Sequence, residues 1–175
     1  MKRTKLRFEN MQQVVGGEGM ALVLLTDMER KRALSVVCDE AMMQQLLLRL
    51  KNRQLCQNML PEALLSLLPS KYEMTVFGLY EGQYQVAIMS EKGESVRLRM
   101  SDAVLLSLMS DIPLYIEDGL MKRQSVPYDE NATGIAIPIN TMDMPRLKQA
   151  MQKAVDEENY ELASKLRDEI NSRHN

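Results

Sequence analysis

The sequence predicts an α+β fold: a mainly antiparallel sheet with packed helices, followed by a C-terminal α-helical hairpin. Three observations carry this expectation. Short stretches with period-two alternation or continuous apolar character recur between turn-forming residues from 4 to 117. Helix-period stripes are mixed among them without the strict alternation of a parallel α/β sheet. Residues 144–173 carry helical periodicity alone.

Residues 4–14 and 20–26 read as strands around the turn Gly-Gly-Glu-Gly at 16–19. The charged turn TDMERKR leads to a strand over 33–38, ALSVVC. Asp39 is placed to cap a helix over 40–51 whose stripe is Met43, Leu46, Leu47 and Leu50. A second helix, over 59–68, has Asn58 as its cap, tolerates Pro61 in its first turn and stops at Pro69. YEMTVFGLY, YQVAIMS and SVRLRM then form a meander through the turns EGQ and EKGE. In its last strand Val96, Leu98 and Met100 share one face, and Arg97 and Arg99 the other. Ser101 or Asp102 caps a helix over 103–109, in which six of seven positions are apolar. Pro113 leads into the strand LYI, and a short helix follows at 121–126. The expected organisation is a domain over 1–128, a linker with one edge strand over 129–143, and the hairpin over 144–175.

The chain has 175 residues, and its 45% hydrophobic content suffices for a core. A net charge of -2 excludes a strongly basic nucleic-acid binder and leaves only local basic patches for phosphate. With no Trp and two Phe, no stacking platform for single strands is advertised. Cys38 and Cys56 read as reduced, buried thiols. The start MKRTKLRFEN lacks an apolar core for a signal peptide, and no apolar run is long enough to span a bilayer, so a cytoplasmic protein is expected. The single histidine, His174, stands next to last, which removes Ser-His-Asp triads and His-based zinc sites from the body of the chain. Hydrolysis would have to run on carboxylates, on an oxygen-held metal, or on Lys, Tyr or Ser.

The stretch RMSD, 99–102, is the candidate site. Phosphodiester cleavage needs an activated water and cations that stabilise the developing charge. Magnesium takes one or two carboxylates together with water and phosphate oxygens. Asp102 with Asp27, Asp39 or Glu40 could supply the carboxylates, and Arg97 and Arg99 the cations, if the fold brings them together. The plainer alternative is that Ser101 and Asp102 cap a helix and complement its dipole, at about 0.5–2 kcal/mol. The spacing leaves both open. Lys2, Arg3, Lys5 and Arg7 could touch nucleic acid, but a basic start of this kind reads first as a solvated or frayed terminus.

In the tail, Pro145 fits a first helical turn, and Leu147, Met151, Ala154 and Val155 share a face. The acidic turn 156–158 follows, and Asn159 caps a second helix with Tyr160, Leu162, Ala163, Leu166 and Ile170 as its apolar face. Glu161 and Lys165 form an i,i+4 pair. Roughly 30 residues bury too little surface to stand alone. Leu147, Met151, Val155, Tyr160, Leu166 and Ile170 are therefore expected to meet the main domain, a second copy or another protein. Six basic and six acidic residues over 144–175 leave no net charge, which favours protein over phosphate as the partner.

The run Leu147, Met151, Ala154, Val155, Glu158, Tyr160, Glu161, Ala163, Leu166, Arg167, Asp168, Ile170 resembles the UVR motif, the hairpin of the excision-repair proteins UvrB and UvrC. That resemblance implies protein association. Arg99, Ser101, Asp102, Ala103, Leu106, Leu108, Pro113, Leu114, Tyr115 and Glu117 resemble the Arg-Pro-Ser-Asp-Ala helix start and Pro-Ile-x-Val strand of the bifunctional nuclease family. Leu24, Leu25 and Asp27 resemble its Leu-Leu-x-Asp. The likeness extends over 1 to about 128. It implies a compact α+β domain that forms a homo-oligomer and hydrolyses DNA or RNA, and the chemistry of cleavage adds a divalent metal, Mg or Mn. Together with the chemistry above, it makes Asp102, Ser101 and Arg99 the expected catalytic residues, Asp102 and Asp27 the expected metal ligands, and Arg97 and Arg53 the expected nucleic-acid contacts. The family's Arg-Pro-x-Thr-His-Asp segment reads RQLCQNML here, with Arg53, Gln57 and Asn58, so its His and Asp are absent. Two functions stay open: a nuclease with a UVR tail for protein association, or an inactive member acting as a protein-interaction module.

Overall fold

Period-two alternation decides which side chains share a face, and strand register makes those faces agree across the sheet. The computed structural model describes residues 2–14, 19–68, 71–132, 134, 135 and 137–173. His174, Pro69 and residues 16–18 of the expected glycine turn lie outside the described residues.

The strands are β1 (Arg3–Gln13), β2 (Met20–Asp27), β3 (Arg32–Asp39), β4 (Tyr72–Tyr80), β5 (Gln83–Ser90), β6 (Ser95–Leu98), β7 (Leu114–Glu117) and β8 (Val126–Pro127). They form one eight-stranded sheet in the order β6-β5-β4-β7-β1-β2-β3-β8. Every pairing is antiparallel except β4 with β7, so the mainly antiparallel α+β fold expected from the sequence is the one observed. Val23 sits opposite Val36, Leu25 opposite Leu34, and Val76 opposite both Val86 and Ile116. These residues and Leu6, Met74 and Leu114 form one buried cluster. On it lie α1 (Glu40–Asn52) through Met42 and Leu46, α3 (Met100–Met109) through Met100, Ala103 and Val104, and α4 (Asp118–Gln124) through Leu120 and Met121.

Local chemistry sets the element ends. Glu81 at φ 49° and Gly82 at φ 75° form the two-residue turn between β4 and β5, the left-handed pair whose twist matches the flanking strands. Asp39 caps α1, its Oδ1 accepting from the Met42 amide at 2.7 Å, as its position predicts. The buried stripe of α1 is Met42, Leu46 and Arg49, one position round from the expected one, and Leu50 is exposed. The reason is an ion pair: Arg49 donates to Glu62 at 2.7 and 3.0 Å and to the side chain and carbonyl of Gln45. That pair ties α1 to α2 (Leu60–Ser66), whose cap position is Met59 rather than Asn58 and which buries none of its own residues. Val96, expected inside, is 64% exposed because β6 is a four-residue edge strand. No strand occurs among the described residues of 128–143; a short 3-10 turn occupies Ile139–Thr141. No helix among the described residues is long and apolar enough to cross a membrane.

The chain divides into two units, Met1–Ile135 and Ala136–Asn175. The second is the helical hairpin of α5 (Met144–Asp156) and α6 (Tyr160–Ser172), preceded by the 3-10 turn. Asp143 and Asn159 cap the two helices, accepting from the Arg146 and Leu162 amides.

Glu62→Ala leaves the Arg49 charge buried without its partner and is expected to cost about 3 kcal/mol, at the low end for buried pairs because Glu62 keeps some solvent contact. Arg49→Met with Glu62→Leu should recover most of that loss in urea unfolding.

Candidate functional site

The N-termini of α1 and α3 lie side by side, and Arg99 links them. Arg99 is the extended residue before α3, at φ -70° and ψ 149°. Its Nε donates to Asp102 Oδ2 at 2.7 Å and its Nη2 to Oδ1 at 3.1 Å. Its Nη1 lies 3.9 Å from Asp39 Oδ2. One guanidinium thus faces two carboxylates, each in or before the first turn of a helix, where the backbone dipole favours negative charge. Asp102, above all, and then Asp39 hold the Arg99 pKa above its ordinary value. Arg99 and Asp39 are well exposed, with 68% and 60% of their side chains accessible, and Asp102 is half-buried.

This geometry differs from simple capping. α3 starts at Met100, so Ser101 and Asp102 are its second and third residues and neither is the cap. Arg99 has no side-chain acceptor and makes no capping bond. Asp102 acts on the helix through its charge and through its fork to Arg99.

The other candidate residues lie elsewhere. Asp27 closes the β2–β3 turn, its Oδ1 accepting from the Lys31 and Arg32 amides at 2.7 and 3.0 Å. Asp39 pairs with Met20 at the opposite end of β2, about 23 Å of strand from Asp27. Asp27 and Asp102 are therefore not brought together. Among the described residues no group of three or more His, Cys, Asp or Glu side chains is placed to hold a metal ion. Asp102 and Asp27, the two ligands expected for Mg or Mn, therefore do not share one site. Arg53 Nη2 donates to the Met109 carbonyl at 3.0 Å, at the C-terminal end of α3 and about 10 Å of helix rise from Asp102. There Arg53 and Gln57 line a cavity of about 320 Å³ together with the Arg49–Glu62 pair. Arg97 lies on β6 with its guanidinium 6.0 Å from the Phe77 ring centroid.

Two polar clusters escaped the sequence. Glu9, in the bulge between Phe8 and Asn10, accepts from Arg30 at 2.6 Å and from Thr26 at 3.2 Å. The three-residue step from Phe8 to Met11 along one apolar face was its only trace. Arg3 donates to Glu73 and Thr75 and lies 4.7 Å from the Tyr115 ring centroid, so this basic residue belongs to the sheet and not to a frayed terminus. Cys38 and Cys56 are free and buried, and burial, then Asp39, pushes the Cys38 thiol up to about 11.

The six hairpin residues separate into two sets. Leu147, Leu166 and Ile170 are buried within the second unit, Met151 is half-buried against them, and Ile139 and Met142 complete that cluster. Arg173 donates to the Ile139, Asn140 and Met142 carbonyls and pairs with Glu169 at 2.7 Å. Val155 and Tyr160 stay exposed, at 45% and 68%.

An eight-stranded α+β domain followed by a separate helical hairpin is the class of protein that this architecture defines. Residues 23–129 match the family model of the Bifunctional nuclease domain, and residues 144–172 match that of the UvrB/uvrC motif. The first match spans more than half of the chain, which belongs to the bifunctional nuclease domain family and carries the UVR motif at its C-terminal end. A search of curated proteins found no match.

Asp39→Ala removes a cap and is expected to cost about 1 kcal/mol in urea unfolding, whereas Asp102→Ala, in an exposed pair, should cost less than about 0.5 kcal/mol. Leu166→Ala should cost about 2–5 kcal/mol and abolish hydrogen-exchange protection in α5 and α6, while Tyr160→Ala leaves both nearly unchanged.

Proposed function

We propose that the chain is a binding member of the bifunctional nuclease family that does not hydrolyse phosphodiesters, with the UVR hairpin serving association with protein. The observation that carries this reading is the dispersal of the polar residues that resemble the family's site. Asp102 has both carboxylate oxygens on Arg99, Asp27 is spent on a turn at the far end of β2, and Arg53 and Gln57 sit at the opposite end of α3. Hydrolysis without a shared ion would need a general base aimed at a water beside a phosphate, and no such role is left to these groups. Val155 and Tyr160 are the hairpin residues left available to a partner, another protein or a second copy. Two free buried thiols fit a cytoplasmic setting.

One observation favours the nuclease reading: Asp39 and Asp102 reach the same exposed arginine. A phosphate that drew Arg99 away would free the Asp102 carboxylate beside Asp39, which still caps α1.

Purified full-length chain, incubated with fluorescent single-stranded DNA and RNA in Mg or Mn, is expected to give no cleavage above that of Asp102→Ala. Metal-dependent cleavage that disappears in Asp102→Ala and in Asp39→Ala would establish the hydrolase instead.

A further inference from the structure

A groove of about 840 Å³ opens in the first unit, away from Arg99, where α2 and the α3–β7 loop meet the ends of β4 and β5. Its apolar lining is Leu65, Leu68, Tyr72, Met89, Ile112 and Pro113. The apolar surface continues along α2, where Leu60, Leu64 and Leu67 are 71%, 54% and 76% exposed. A surface helix normally turns such residues to the core, yet α2 buries none of its own. Clustered exposed leucines of this extent mark an interaction surface.

Charge indicates what covers it. Among the described residues, four that are charged at neutral pH line the groove: Lys71, Glu73, Glu91 and Asp111. Glu73 is neutralised by Arg3 at 2.6 Å. Among the described lining residues, Glu91 and Asp111 then outnumber Lys71, so the lining is net acidic. The neighbouring α2 adds only Glu62, already paired with Arg49.

We infer that this surface binds a basic amphipathic helix of a partner protein, its apolar side on the α2 leucines and in the groove, its cations facing Glu91 and Asp111. The length of the leucine row beyond the groove favours a helix over a small molecule. The acidic lining disfavours a second copy seated leucine to leucine, since two such linings would repel. Met89 supplies an adaptable floor.

The probe is a fluorescent 14-residue peptide of Leu and Lys, LKKLLKLLKKLLKL, titrated against the full chain by anisotropy at physiological salt. The control has Glu for every Lys. Saturable binding of the Lys peptide alone is expected. Glu91→Gln with Asp111→Asn should weaken it about fivefold, as should Leu64→Ser with Leu68→Ser; all four residues lie at the surface, so circular dichroism should be unchanged. Equal binding of both peptides, or insensitivity to either double variant, overturns the proposal. So does a solution mass above one chain that Leu64→Ser with Leu68→Ser returns to a monomer, which would place a second copy on this face.

Discussion

The architecture depends on one four-residue strand. β7 lies between β4 and β1, parallel to the first and antiparallel to the second, and so joins two meanders into one sheet. Leu114 and Ile116 are almost wholly buried and face Leu6, Met74 and Val76 across the two ladders or within the same cluster. An edge on either meander would expose unpaired backbone groups and half of the apolar face. Inserting β7 also forces a crossover from β6, and α3 is that crossover. The position of Arg99 at the head of α3 is therefore a consequence of sheet closure.

At that position the charged groups satisfy one another. Asp39 is bonded to an amide of α1, and Asp102 is held by a two-pronged contact to Arg99. Exposed pairs of this kind contribute little to stability and exchange readily with solvent or with a bound anion. One guanidinium thereby links the starts of two helices.

The hairpin solves its size problem by recruiting the residues just before it. Two amphipathic helices alone leave one end of their seam open, and Ile139 and Met142 close it. Arg173 gathers three carbonyls of that turn, groups that would otherwise need water. What remains outside is the end of the hairpin near its acidic turn, with Val155 and Tyr160 on either side of it.

Much of this was legible in the residues. Alternation and short apolar runs between turn residues located the seven longer strands, Asp39 and Asn159 announced their caps, and the spacing of Leu147, Ala154, Leu166 and Ile170 marked the hairpin seam. Each of these is a local signal, set by backbone geometry within a few residues. The sequence could not place Asp27 and Asp102 relative to each other, because β2 carries Asp27 to one end of the sheet and only register reveals that Asp39 lies at the other. Nor could it tell that Arg49, not Leu50, turns inward, since burying a charge depends on a carboxylate thirteen residues away. Local periodicity determined the elements; pairing between distant strands and between distant charges decided which functional groups meet, because those energies exist only once the chain has closed on itself.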